Sequence, residues 1–510
     1  MRKIFSVILI LEILVFPLFS PSIFAKSIVT NSHANRALVV NPVVKVEGRK
    51  LMVDFDHNGV YEPYFVKGVG YSPMPIGRHP SDWGWPLYDP RPANVFADAN
   101  ILNRDFTYLS SMHVNTIRIW KGNDTQVGTR FPIKIVQQTL NLAEQHGIKV
   151  VAGFWIDGTT HECHNGQRYY NTPDFTNQSV RNDYKNRFVA YVNTFKNHPA
   201  ILFWVIGNEN NLFLNPNDTN RIRAYYSLIN EMAQAAHQVE GTSYHPVAVV
   251  NGDLDFIGNA QYGTDDVSMP ALDIWGANVY RGNSFGNLFV EYVNKSTKPF
   301  WISEFGVDAW FSQNLQNPDV GYEDQATQAQ WDGNLWDEIV RNHTATIGAT
   351  IMEYSDEWWK PYEWIDGGSH NSQQNHFGTG PVDTDCPPDG IPDWYPPSPD
   401  NYFNAEWWGI MSIAPNPMPY GYDIMTPRQV YTAMAHRFQC SHATGGIFYA
   451  GPENRRSCDL SHACCPKAAL KSKNGRCVKF CGYPSPVKDE MRDMIKTILK
   501  NLKPQLKPLR

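Results

Sequence analysis

Two glutamates close apolar runs in a way that ordinary packing does not call for. Phe203-Trp204-Val205-Ile206-Gly207-Asn208-Glu209 ends in an Asn-Glu pair, and Phe300-Trp301-Ile302-Ser303-Glu304-Phe305-Gly306 carries a lone Glu at its end. An apolar strand avoids ending in an acid aimed at the interior unless the charge is used or paired. One protonated carboxyl can give its proton to a leaving oxygen while an ionised one, about 5 to 5.5 Å away, attacks an anomeric carbon, and together they perform a double displacement with retention. Glu209 and Glu304 are the candidates for these two roles. A structural salt bridge is the competing account of either acid taken alone.

Other motifs offer less. His161-Glu162-Cys163-His164 invites a metal reading, but a disulfide through Cys163 would consume one ligand, and polar structural or subsite roles are preferred. The chain has no His-Glu-x-x-His, no Gly-x-Ser-x-Gly and no glycine loop of the phosphate-cradling kind. Neither a metal nor an organic cofactor is expected.

The elements that must position the two acids follow from periodicity. Apolar, β-branched runs alternate with amphipathic stretches from Tyr64 to Glu353, the pattern of parallel β/α architecture. Candidate strands are 64–71, 114–120, 148–154, 200–207, 246–251, 272–280, 299–304 and 346–353, and candidate helices are 101–112, 133–146, 181–197, 222–239 and 325–341. A doubly wound open sheet shows the same alternation. Eight strands with polar residues at several strand ends favour an α/β fold of the (β/α)8 TIM-barrel type, whose chemistry sits at those ends. Glu209 and Glu304 then close the fourth and seventh strands.

The flanks carry their own signals. Arg2 and Lys3, an apolar run from Ile4 to Phe19, and Ser22-Ile23-Phe24-Ala25 have the order of a signal peptide over 1–25. Glu12 within the run and Ile23 before the cut depart from the pattern, and an uncleaved anchor is the alternative. Residues 26–60 read as a strand cover containing a hairpin. In it, Asp54-x-Asp56-x-Asn58-Gly59 resembles the start of a calcium loop, but Phe65 stands where a bidentate Glu is needed. The catalytic barrel is set at 61–445, including a long Gly/Pro/Asp-rich loop after the eighth strand, 367–404, of the length that usually forms a lid or binding wall. Residues 446–510 form a cysteine-rich tail with a basic amphipathic helix, for which docking on the barrel is preferred to contact with a membrane surface.

All eight cysteines lie beyond residue 25, which in an exported chain favours disulfides; Cys464, Cys465, Cys477 and Cys481 with His462 are the zinc alternative. Lys and Arg total 44 against 50 Asp and Glu, a net charge of -6, so no polyanion-attracting field exists and nucleic acid is not a partner. Aromatics make up 13 %, with 16 Trp, and rings with a polar handle suit sugar faces as well as cores.

With His198-Pro199-Ala200 leading into the Asn208-Glu209 run and Lys298-Pro299 into the Glu304 run, the chain resembles clan A glycoside hydrolases. In that clan the acid/base follows Asn at the end of the fourth strand and the nucleophile ends the seventh. Phe65-Val66-Lys67-Gly68-Val69-Gly70-Tyr71, Asn103-Arg104-Asp105 and Val114-Asn115-Thr116-Ile117-Arg118 look like the opening of the β-1,3-glucanosyltransferase family. Ser355-Asp356-Glu357-Trp358-Trp359-Lys360 and Asn404-Ala405-Glu406-Trp407-Trp408-Gly409 instead resemble proteins with a family 2 glycosidase barrel. The resemblance implies that Asn208 bonds a sugar 2-hydroxyl, that Arg118 and Tyr280 orient Glu304, and that Asn278 adds a polar contact. Trp358 or Trp359 is the expected sugar platform. Trp394 and Tyr395, in the long loop, are expected to stack on sugars further along the chain.

The reading is of a secreted, retaining glycoside hydrolase or transglycosylase acting on a β-linked glucan-type polysaccharide or oligosaccharide. The alternatives are a non-catalytic carbohydrate-binding or surface-adhesion protein on the same barrel, and a metal-assisted hydrolase using His161 and His164. Five Asn-x-Ser/Thr sequons begin at Asn123, Asn177, Asn217, Asn294 and Asn342.

Overall fold

The computed structural model describes residues 43–78, 89–92, 95–122, 137–158, 160–164, 166–360, 374–376 and 378–440. Eight parallel strands close into a barrel: β1 (Val66–Gly70), β2 (Thr116–Ile119), β3 (Lys149–Phe154), β4 (Ile201–Ile206), β5 (Val247–Gly252), β6 (Ile274–Asn278), β7 (Phe300–Phe305) and β8 (Gly348–Ile351). Each lies within the corresponding expected run, apart from a one-residue overhang at the ends of β5 and β7. Closure is made by β8 against β1, with Gly348 opposite Val66 and Ile351 opposite Val69.

The strands are apolar on both faces because both faces are covered. Val66, Val151, Phe203, Val205, Ala248, Val250, Ile274 and Trp301 fill the barrel interior, and a second cluster joins the outer strand face to the helices. Around the outside run α1 (Ala99–Ser111), α2 (Gln137–Gln145), α3 (Gln178–Phe195), α4 (Thr219–Glu240), α5 (Leu288–Lys295), α6 (Gln325–Arg341) and α7 (Gln429–Cys440). Between β5 and β6 the crossover holds only a 3-10 turn, Ala260–Tyr262. Side chains of Asp98, Asn177, Asp218 and Asp324 accept backbone N–H groups at the starts of α1, α3, α4 and α6, supplying the caps those helices need.

An antiparallel sheet of Val44–Glu47, Lys50–Val53 and Glu62–Pro63 precedes β1, and its Val44, Leu51 and Val53 join the barrel-interior cluster. In its turn the Asp54 carboxylate accepts the N–H groups of Asn58 and Gly59, both at 3.0 Å, which is turn chemistry. After β8 the long loop is pinned by a pairing of Gly378–Thr379 with Phe403–Asn404 and a bridge between Val382 and Trp394.

Two helices depart from expectation. The eight-residue α5 is too short to show a full apolar stripe, and α7 closes the helical ring by packing Phe438 on Trp336 of α6, ring centroids 4.6 Å apart. The signal segment, the cysteine-rich tail and its basic helix lie outside the described residues. No helix among the described residues is long and apolar enough to cross a membrane.

Candidate active site

The site is built where β2, β4, β6 and β7 end. Alternation along β2 turns Arg118 inward, and the residue is 1 % exposed. Nη1 donates to Glu304 Oε1 at 2.7 Å, to Asn278 Oδ1 at 3.2 Å and to the Ser303 carbonyl at 3.0 Å, while Nη2 donates to Asn208 Oδ1 at 2.6 Å. Burial lowers the Arg118 pKa, with the Glu304 charge opposing. One buried cation thus ties three strand ends together.

Glu304 receives two further donors. The Trp120 indole N–H reaches Oε1 at 2.6 Å, and the Tyr280 hydroxyl reaches Oε2 at 2.8 Å. A register shift between β6 and β7 at Ala277/Asn278 sets Glu304 opposite Asn278. The Tyr280 phenol is pushed well up by burial, and the charges of Glu304 and Glu209 act the same way. It therefore remains a donor.

Glu209 stands in a different environment. Its backbone is left-handed, φ 53°, at the start of a 3-10 turn over Asn210–Phe213. A non-glycine residue there costs on the order of 1 kcal/mol and persists only when its surroundings enforce it. The enforcing contacts are those of Asn210, whose Oδ1 accepts from the Asn208 N–H at 3.1 Å and the Tyr225 hydroxyl at 3.2 Å, and whose Nδ2 donates to the Ile156 carbonyl at 2.9 Å. Gly207, φ 72°, is required beside it, since a Cβ would fall 2.3 Å from Asn210 Oδ1. Burial pushes the Glu209 carboxyl up to about 7; the Glu304 charge adds to the rise, while Asn278 and Arg118 pull it back. Two carboxyls that sense each other's charge therefore have different partners, and such separation is how one site supports acid and nucleophile roles.

Asn208 Oδ1 also accepts from Asn278 Nδ2 at 3.2 Å, which leaves its NH2 group as the donor. Asn278 Oδ1 is shared with the Ser303 hydroxyl at 2.6 Å. Of the residues expected from sequence, Arg118, Asn208, Asn278, Tyr280 and Glu304 form one hydrogen-bonded group, and Glu209 senses its charges. Trp120 and Ser303 join it without having been foreseen. For Trp120 a signal existed, because Arg118-Ile119-Trp120 places the indole on the same strand face as the guanidinium. Gly70 makes room for it, as a Cβ there would lie 2.4 Å from the ring.

The expected aromatic residues divide. Trp358 is 8 % exposed and Trp359 is half-buried. Trp394 and Tyr395 are exposed. Trp394 meets Phe403 edge-on with centroids 6.1 Å apart, Phe403 meets Tyr280 at 5.9 Å, and Trp408 packs on Tyr280 at 5.3 Å. The loop thus connects to the Glu304 partner through aromatic contacts. A disulfide between Cys163 and Cys386 ties it to the hairpin of Thr160–His164 and Gln167–Asn171 that follows β3. The side chains of His161 and His164 lie outside those described.

The chain is similar to several known proteins. The model of the glycosyl hydrolases family 2, TIM barrel domain, matches residues 97–368. The 1,3-beta-glucanosyltransferase GAS5 of Saccharomyces cerevisiae is 20 % identical over 277 residues, 52 % of this chain and 49 % of that protein, so the chain spans about half the length of this curated relative. Among solved structures, the beta-D-glucuronidase of Dictyoglomus thermophilum has a TM-score of 0.47 at 14 % identity, covering 79 % of this chain and 55 % of that one. ScGas2, solved with compound 8, has a TM-score of 0.43 at 14 % identity, covering 80 % and 70 %. With the matched region spanning more than half of the sequence and containing both candidate acids, the chain belongs to the glycosyl hydrolases of family 2, TIM barrel domain.

Proposed function

We propose that the protein is a retaining glycoside hydrolase or transglycosylase that cleaves β-linked glucan-type polysaccharides or oligosaccharides through a covalent glycosyl-enzyme intermediate. The observation that carries the reading is the contrast between the two acids. Glu209, raised to about 7, keeps a proton to give to a leaving oxygen. Glu304, held by Arg118, Trp120 and Tyr280, is fixed in one orientation for attack.

In the first step Glu304 attacks the anomeric carbon while Glu209 protonates the departing oxygen. In the second, Glu209 takes a proton from water or from an acceptor hydroxyl, which displaces Glu304. In this reading the Asn208 NH2 group, free of the bonds that occupy its Oδ1, donates to the 2-hydroxyl of the reacting sugar, a contact that strengthens in the transition state. Transfer prevails over hydrolysis if an acceptor sugar outcompetes water, and the exposed rings of Trp394 and Tyr395 are suited to hold one. Export is part of the proposal, supported by the Cys163–Cys386 disulfide and the N-terminal sequence pattern. Following the first-formed anomer by NMR on a panel of β-glucans, mannans and galactans tests the reading. Retention with a glucan preference supports it, and an inverted product removes Glu304 from the nucleophile role.

A further inference from the structure

Ser303 lies on β7 immediately before Glu304 and is fully buried, with alternation placing it on the inward face that also carries Trp301. Its hydroxyl donates to Asn278 Oδ1 at 2.6 Å, while Arg118 Nη1 reaches the same oxygen at 3.2 Å. That guanidinium nitrogen carries two hydrogens and serves three acceptors. Glu304 Oε1 at 2.7 Å and the Ser303 carbonyl at 3.0 Å are both nearer to it than Asn278 is. The Asn278 oxygen therefore takes the weakest share of Arg118, and the serine supplies its short bond.

The partner of that oxygen decides what the other end of the amide does. With Oδ1 turned to Ser303 and Arg118, the Asn278 NH2 group donates to Asn208 Oδ1 at 3.2 Å. Asn278 also bonds the Glu209 carboxyl: burial raises that pKa most and the Glu304 charge adds to the rise, while the Asn278 bond and then the Arg118 charge pull it back. A half-turn of the amide would set its oxygen against Asn208 Oδ1 and against Glu209. Acceptor would face acceptor in a buried site with no hydrogen to share.

We propose that Ser303 is a positioning residue of the reaction: its hydroxyl holds the Asn278 amide with the oxygen toward itself and Arg118, and so keeps an N–H donor on both Asn208 and Glu209. Each of those two contacts serves a chemical need. Asn208, tied at its oxygen, presents its own NH2 group to the 2-hydroxyl of the reacting sugar. Glu209, once it has given up its proton to the leaving oxygen, is an anion in a buried place, and the donor steadies it until it takes a proton from water or an acceptor. Ser303 touches neither the sugar nor the reacting atoms and acts through Asn278.

The inference rests on the glycosidase reading, and the test separates the two. The full chain and its Ser303→Ala variant are assayed on aryl β-glycosides and their 2-deoxy counterparts over a pH series that spans neutrality. Ser303→Ala removes the hydroxyl and leaves in place the backbone carbonyl that Arg118 uses. Loss of the donor disfavours ionised Glu209, so the basic limb of kcat/KM is expected to move upward by about half a pH unit or more. The preference for 2-hydroxy over 2-deoxy substrate is expected to fall by about three- to tenfold as Asn208 loosens. Ser303→Thr keeps a hydroxyl and should return both towards the unaltered chain. The charges that Glu209 feels, those of Glu304 and Arg118, are the same in every variant. A purely structural role would lower the rate and the melting temperature and move neither the limb nor the preference. An unmoved limb or an unchanged preference in folded Ser303→Ala overturns this inference alone, and so does a folded Ser303→Thr that behaves like Ser303→Ala. If Ser303→Ala does not fold, Ser303→Gly removes the same hydroxyl and is read in the same way. A product of inverted configuration from the unaltered chain overturns the retaining reading and this inference with it.

Discussion

The Trp120 indole N–H donates to the same oxygen of Glu304 that accepts from Arg118, at 2.6 Å, across 184 residues of chain. Two donors on one oxygen and the Tyr280 hydroxyl on the other leave the carboxylate little rotational freedom. Trp120→Phe keeps most of the ring and removes only the donor. We expect kcat/KM to fall about ten- to a hundredfold, equivalent to the ~1.5–3 kcal/mol of a hydrogen bond to a charged group, with the thermal melt little changed. Unaltered kinetics in a folded variant would show that Trp120 plays no part in orienting Glu304.

Removing the Glu304 carboxyl opens a position that a small anion can occupy. Glu304→Ala is expected to lose turnover altogether, and azide to restore it with a β-substrate giving an α-glycosyl azide. Near-normal activity in this variant without azide would contradict the assignment.

The raised pKa of Glu209 sets a pH limit. Its folded-state value of about 7 lies above the ordinary 4.5, so the proton needed by the leaving group is present below pH 7 and is lost as pH rises through that value. The basic limb of kcat/KM is expected near pH 7 and should vanish in Glu209→Gln. Glu209→Ala should harm substrates with poor leaving groups far more than activated aryl glycosides. Equal losses on both would indicate a binding or folding defect and remove Glu209 from the acid role.

The parts legible in the sequence were those that recur locally. The eight strands announced themselves because both faces are buried, which makes each a short β-branched run bounded by polar residues, and Asn208-Glu209 and Glu304 ended two of them. Trp120 was overlooked because its partner lies on β7, even though its spacing from Arg118 was visible. The burial of Trp358 is set by how the segment after β8 packs, which the sequence shows no more than it shows that partner. The pairing of Cys163 with Cys386 depends on how two loops meet in space, 223 residues apart, and no local pattern encodes that.

That disulfide has a testable consequence for substrate length. It fixes the long loop to the hairpin after β3, where Arg168 also donates to the Thr384 carbonyl. Replacing Cys163 and Cys386 together by Ser should raise proteolytic cleavage between residues 378 and 404 and lower kcat/KM on long oligosaccharides several-fold, with short aryl glycosides spared. Loss of activity on both classes in equal measure would place the bridge in global stability.

The loop's exposed rings carry the last expectation. Trp394 is 39 % exposed and Tyr395 54 %, yet Trp394 contacts Phe403, which contacts Tyr280 beside Glu304. A flat aromatic face held at that remove is suited to a sugar beyond the one being cleaved, and its exposure leaves the ring available for stacking. Trp394→Ala with Tyr395→Ala should therefore lower kcat/KM on long oligosaccharides by about tenfold, the loss of one stacking contact near 1.4 kcal/mol, and spare a short aryl glycoside. Because Phe403 and Trp408 remain packed on Tyr280, Glu304 keeps its donor and the chemical step should be unchanged. A parallel fall on long and short substrates would mean that the rings support Tyr280 instead of binding sugar, and no change on either would take the loop out of the binding site.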